Sequence, residues 1–419
     1  MRTERLAPAA PKPAASAVGV IALLFLTFGG YVKDFPALAD VGDTLTRLSA
    51  LIVLVLSVHR ILGGRIPPAA TGSVVVLFLT FVPAMLVDPP TTYTTEKLTV
   101  ELPLMFLTIM GGLVLLAPAR ARRQWVAAVV ALGAVAAVLA LVFPSTTVVD
   151  ALAVEGGNTI DQGRTTGAGA IALFTLAMVH RKHRLLLLTG ALVMSASMIA
   201  SGSRGPTIGA AVAVLLAVAF SPSRSRGPRV VATIVTLLAA VYLAFAANLV
   251  GDRLLTFQDA SAEARFRLWD VGVGLIGTNP LGIGWGQLYY YLPPGTRLPG
   301  VGVREYPHNV LIEVGSEAGV PALVVLVVVL VLALRGQQRV STRPVESVML
   351  ALAVFALINS MVSGDVSDNR GLWVAVGAGL ATRRMSFSDE LADPETESVT
   401  RDTSARGVLT SPRSSQWPK

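Results

Sequence analysis

The sequence predicts an all-α, polytopic membrane protein with about twelve transmembrane helices. Three observations predict it. Hydrophobic residues make up 53% of the 419 and charged residues only 14%, where a soluble domain carries about 25% charged. Apolar runs approaching the roughly 20 residues of a spanning helix recur along the chain. Basic residues gather in alternate connections, the pattern that sets membrane orientation. This composition excludes an ordinary cytosolic enzyme, a disordered chain and a nucleic-acid binder. The absence of cysteine excludes disulfides, zinc thiolate sites and iron–sulfur clusters.

The expected spans lie near 15–32, 46–62, 72–87, 102–117, 125–143, 165–179, 185–200, 205–220, 229–247, 320–334, 346–362 and 371–382. The third, seventh, eighth and last are short. No β-barrel alternation is visible. With a cytoplasmic N-terminus, the inside segments collect 23 of the 34 Lys and Arg. The net charge of +8 therefore reads as a topology signal, with both termini cytoplasmic in the cell membrane. Ala37-Leu38-Ala39 resembles a signal cleavage site, but Lys33 and Asp34 intervene, and an uncleaved first span is the expectation. Residues 1–382 form the membrane domain. Residues 383–419, rich in Ser, Thr, Pro and charge, read as a disordered cytoplasmic tail.

One outside connection dominates, residues 248–319, and loops of that length usually carry function. Ser261 to Thr278 reads as an amphipathic helix ended by Asn279-Pro280. Gly282-Ile283-Gly284-Trp285-Gly286 reads as a flexible turn, weak as a phosphate cradle because no strand–turn–helix surrounds it. Tyr289-Tyr290-Tyr291 reads as an interfacial anchor or a platform for sugar rings.

The residues able to do chemistry collect on the outer side. Arg204, in Ser201-Gly202-Ser203-Arg204-Gly205-Pro206, falls between two short spans. Its guanidinium fork suits bidentate contact with phosphate; snorkelling to lipid headgroups is the plainer alternative. Arg265 and Arg267 lie on the loop helix beside Trp269, among Asp252, Asp259, Glu263 and Asp270. Two arginines in an otherwise balanced loop read as a phosphate clamp or as a solvated basic face on anionic lipid. If Pro307 starts a helix, Asn309, Glu313 and Glu317 share one face, with His308 at its outer tip. There an imidazole of ordinary pKa near 6.5 can exchange protons, though a lone histidine is often structural. No Asp-x-Asp pair or outside histidine cluster supports a divalent metal. No Walker motif or Gly-x-Ser-x-Gly elbow occurs.

Together these segments resemble the O-antigen ligase and Wzy-type polymerase superfamily, whose members have a GT-C-like membrane fold. Ser201–Gly205, Arg265–Trp269, Asn279–Gly286 and Pro307–Gly319 carry the likeness, with a weaker fifth segment, Gly364–Arg370. The resemblance implies transfer of a glycan from a polyprenyl-diphosphate donor to a hydroxyl acceptor (a glycan, lipid or other hydroxyl compound), with no metal and no cofactor. It assigns the diphosphate to Arg204 and Arg265 and acceptor engagement to His308. Ser203, Arg267, Asn309 and Glu317 complete the candidate substrate contacts. Ala322 stands where ligases often place Gly, Thr or Tyr, so ligase and polymerase stay open. The rival readings are a twelve-span secondary transporter and a non-catalytic component of a glycan-synthesis complex. Transporters place ionisable groups near mid-span, whereas the expected spans here are nearly free of charge.

Overall fold

Helices occupy eleven of the twelve expected span positions in the computed structural model. The structure describes residues 13–33, 39–63, 66, 68–87, 92–144, 153, 158–180, 182–219, 260–294 and 304–382. The ninth expected span and the expected tail lie outside the described residues. The described helices are α1 (Pro13–Lys33), α2 (Ala39–Leu62), α3 (Pro68–Met85), α4 (Thr92–Leu115, with a π-helical turn at Lys97–Glu101) and α5 (Ala119–Val142). There follow α6 (Thr159–Val179), α7 (Arg184–Ala200), α8 (Arg204–Ala219), α9 (Ala260–Thr278) and the single turn α10 (Leu288–Tyr291). The short α11 (Val310–Glu313) runs into a second π-helical turn, Val314–Ala318; α12 (Val320–Val340), α13 (Pro344–Ser360) and α14 (Arg370–Thr382) complete the order.

Five of these helices, α2, α3, α4, α5 and α12, are long and apolar enough to cross a membrane. Four more, within α1, α7, α8 and α13, are apolar but shorter. Eleven of the twelve expected spans are therefore helical, and five of them reach spanning length. Packing explains the shortest member. Helix α14 has 13 residues, and every one from Leu372 to Thr382 is buried. It runs through the middle of the bundle against α4, α12 and α13, where protein replaces lipid along its length.

Close approach of α14 to its neighbours depends on glycine. A Cβ at Gly377 would overlap the Ile109 carbonyl on α4, and one at Gly112 would overlap the Val374 carbonyl on α14. Small residues at such crossings let backbones meet and gain dispersion contacts where lipid supplies no hydrophobic drive.

The two ends of the bundle differ. At one, Arg60 donates to the Val114 carbonyl and Arg122 pairs with Glu346 at 2.7 Å, both arginines buried. These are among the basic residues of the expected inside connections. At the other end lie the starts of α4, α6 and α14 and the segment 304–313, around a cavity of about 1200 Å³. The sequence motifs sit at this second end.

Substituting Gly377→Ala should lower the thermal unfolding midpoint of the detergent-purified protein, since overpacking costs about 1–3 kcal/mol. Gly274→Ala on α9, whose Cβ would meet nothing, should hold or raise it. Equal midpoints for the two variants would show that α4 and α14 do not depend on this contact.

Candidate active site

The segment carrying His308 is fixed from below by a buried lysine. Lys97, in the π-helical turn of α4, donates to Glu313 Oε1 at 2.6 Å and Glu317 Oε2 at 2.7 Å, and all three side chains have no exposure. The rings of Tyr93 and Trp285 each lie 5.3 Å from the ammonium, adding cation–π attraction. Glu317 also accepts from the Gly286 N–H at 2.9 Å. The carboxylates expected to share a helix face with Asn309 thus converge on Lys97 and hold this segment against α4.

The glycine-rich turn closes the same assembly. Ile283 and Gly284 donate to the carbonyls of Ser316 and Glu317, and Trp285 donates to that of Ala84. Gly282 and Gly319 lie at φ 89° and 90° with their backbones in contact, a conformation and an approach open to glycine. With these N–H groups bonded to protein, the turn is a clamp, neither flexible nor a phosphate cradle.

The helix expected to begin at Pro307 begins instead at Val310. Asn309 caps it, its side chain accepting from the N–H groups of Leu311 and Ile312, as an N-cap residue does. That cap leaves His308 in a turn ahead of the helix at φ 54°. It is the one non-glycine residue with positive φ among the described residues. Its ring lies 4.5 Å from that of Tyr306, and its buried Nδ1 has no hydrogen-bond partner among the described residues. Helix α9 supports this turn from the side. Trp269 Nε1 donates to the Pro307 carbonyl at 2.6 Å, and Gly272 admits Ile312. Burial, and next the Arg265 charge, push the His308 imidazole down from its ordinary value near 6.5 to about 4.

The carboxyl end of α13 gathers the remaining candidates. Asn309 donates to the Met361 carbonyl at 3.0 Å, Arg265 to Val362 at 3.2 Å and Arg164 to Ser363 at 2.9 Å. These are consecutive carbonyls of the turn just beyond the helix. Gly205, next to Arg204, packs on Val362 and Ser363, so the start of α8 meets the same turn. Ser203 is buried, its carbonyl accepting from Thr207. Arg204 is half-buried and Arg267 exposed. His308 lines the cavity; Arg204, Arg265, Arg267 and Ser203 do not.

The cavity joins two environments. Apolar side chains such as Leu104, Leu107, Leu352 and Phe355 form part of its wall, and His308, Arg164, Asp368 and Arg370 line it as well. The fifth sequence motif proves to be a folded turn. Asp365, fully buried, accepts from Ser367 N and Oγ and from Asp368 N. Sequence reasoning missed Lys97 and Arg164, since the expected spans began at 102 and 165, just past these charges. The signal available was an ionisable residue inside a longer helix.

Residues 189–327 match the family model of O-antigen ligase. This match supports the O-antigen ligase and Wzy superfamily, and the O-antigen ligase domain spans the motifs around Arg204, Arg265 and His308. No curated protein matches the chain. The family points to a glycosyltransferase-like enzyme of polysaccharide biosynthesis in a membrane, with a lipid-linked glycan as donor in general terms.

Lys97→Met should strongly destabilise the domain, because it leaves two carboxylates buried without their cation, a loss of about 3–5 kcal/mol. Adding Glu313→Gln and Glu317→Gln to it should recover much of that loss, read as thermal midpoint in detergent. A single Lys97→Met variant as stable as wild type would remove the ion cluster from its structural role.

Proposed function

We propose that the protein transfers a polyprenyl-diphosphate-linked glycan onto a hydroxyl acceptor, as ligase or polymerase, at the outer face of the cytoplasmic membrane. The observation that carries this reading is His308, held at positive φ in the wall of a part-apolar cavity inside the O-antigen ligase domain. The twelve-span topology, with both termini cytoplasmic, belongs to the same reading.

The apolar wall suits a prenyl chain. The charged groups around the Met361–Ser363 turn suit the diphosphate and glycan. As the glycosidic bond breaks, negative charge grows on the departing diphosphate. Fixed guanidinium groups in a poorly hydrated site stabilise it better than water does. Arg204 and Arg265 take that part, with Arg267, Ser203, Asn309 and Glu317 as further candidate contacts. Asn309 and Glu317 act through position, since their side chains already hold the α11 segment.

His308 is the proposed acceptor base. An imidazole at about 4 is neutral throughout the physiological range and open to a proton, but weak as a base. The arriving diphosphate offsets the Arg265 charge that helps depress it, so basicity rises when donor is bound.

His308→Ala should reduce turnover by roughly 10²-fold while binding of a polyprenyl-diphosphate-linked glycan changes little. The sign of the shift sets the pH dependence. A lowered imidazole pKa keeps the free enzyme's base available as pH falls through 6.5. Its protonation limb in kcat/KM should therefore lie near 4. Loss of donor binding in His308→Ala with an unchanged rate at saturation would move His308 out of the base role.

A further inference from the structure

Arg164, on α6, was not among the arginines that sequence singled out, yet it stands at the same turn as Arg265 and lines the cavity that His308 lines. Its side chain is 16% exposed. Nη2 donates to the Ser363 carbonyl at 2.9 Å and to Asn369 Oδ1 at 3.2 Å. Nη1 lies 3.8 Å from Asp161 Oδ1, beyond hydrogen-bond reach. Among the described residues, Nε and Nη1 therefore make no hydrogen bond, which leaves unused three of the five N–H donors a guanidinium carries. Two anchors on Nη2 fix the plane of the group; Nε is buried, and Nη1 faces only the longer Asp161 ion pair.

Three further features favour an anion here. Arg164 and Arg265 bond to consecutive carbonyls of one turn, and both charges act on the His308 imidazole. Helix α6 starts beside the cavity, capped by Asn158, and α14 starts there with Arg370. Both helices thus present the positive end of a macrodipole. Gly364, at φ 75°, lies where a Cβ would come within 2.9 Å of Arg164 Nη2, so the turn leaves room for the guanidinium. Against these stand Asp43, Glu96, Glu101, Asp161 and Asp368 in the same wall. Arg304, by contrast, is taken up by Glu96 and Glu101.

We infer that Arg164 is a binding residue for the diphosphate of the lipid-linked donor, completing with Arg265 a pair of guanidinium groups beside His308. This rests on the functional reading above. An Nη1 donor on a guanidinium already fixed in plane suits a phosphate oxygen as a charge-assisted hydrogen bond, and the same contact meets the leaving group as its charge grows.

The test is binding of polyprenyl diphosphate and of the corresponding dephosphorylated polyprenol to purified protein in nanodiscs, alongside the transfer rate. Wild type should bind the diphosphate much more tightly than the polyprenol. Arg164→Gln should weaken diphosphate binding at least tenfold, leave polyprenol binding unchanged and slow transfer. Arg164→Lys, which keeps the charge and guards against a folding defect, should fall between because it lacks the fork. Both variants binding polyprenyl diphosphate as wild type does would overturn the assignment while the functional reading stands. Wild type binding the two lipids alike would overturn both.

Discussion

A single buried ammonium sets the geometry of the end of this bundle that holds the cavity. Lys97 lies between Glu313 and Glu317, 2.6 and 2.7 Å from their oxygens. All three side chains have no exposure, so each charge is costly without the others. The cluster ties α4 to the segment that follows His308, over more than two hundred residues of chain. Gly286 and the clamp at Gly282–Gly284 close on the same carboxylate and carbonyls. What stands on this base is a turn whose backbone conformation few side chains adopt, and His308 occupies it.

The second constraint is the carboxyl end of α13. Here three consecutive carbonyls receive Asn309, Arg265 and Arg164, from α11, α9 and α6. Charges far apart in sequence are thereby collected at one turn, where Arg164 also ion-pairs with Asp161 at 3.8 Å. The proposed chemistry follows from that arrangement: a neutral imidazole, cations held by neutral carbonyls, and an apolar wall alongside.

Much of the fold was legible because apolar runs and basic connections are direct consequences of bilayer solvation. Helix α9 came through within one residue of its expected bounds, whereas α2, α4, α5 and α6 start six to ten residues before the expected spans. The site was legible in part. His308, Arg265 and Asn309 do meet, whereas Glu317 faces Lys97 and Arg267 faces outward. The start of α11 was misplaced by three residues because proline's preference for a first turn was weighed and asparagine's capping was not. Lys97 and Arg164 were hidden for a more general reason. Drawing each span to avoid charge places its boundary just beyond the very residue that the helix carries inward, and only tertiary partners hundreds of residues away make such a charge tolerable. The shortness of α8 and α14 came through as well, and burial of α14 within protein relaxes the length that the bilayer imposes.

The central claim is that the lipid-linked donor occupies the cavity beside His308. A polyprenyl-diphosphate glycan bearing a diazirine on its first isoprene units, irradiated with the purified protein and mapped by peptide mass spectrometry, tests it directly. The account predicts labelling of the cavity wall on α4 and α13, at Leu104, Leu107, Leu352 or Phe355, competed by unlabelled donor. Labelling confined to the exposed apolar faces of α2 and α3, at Leu51, Leu54 or Val75, and unaffected by competitor would contradict it.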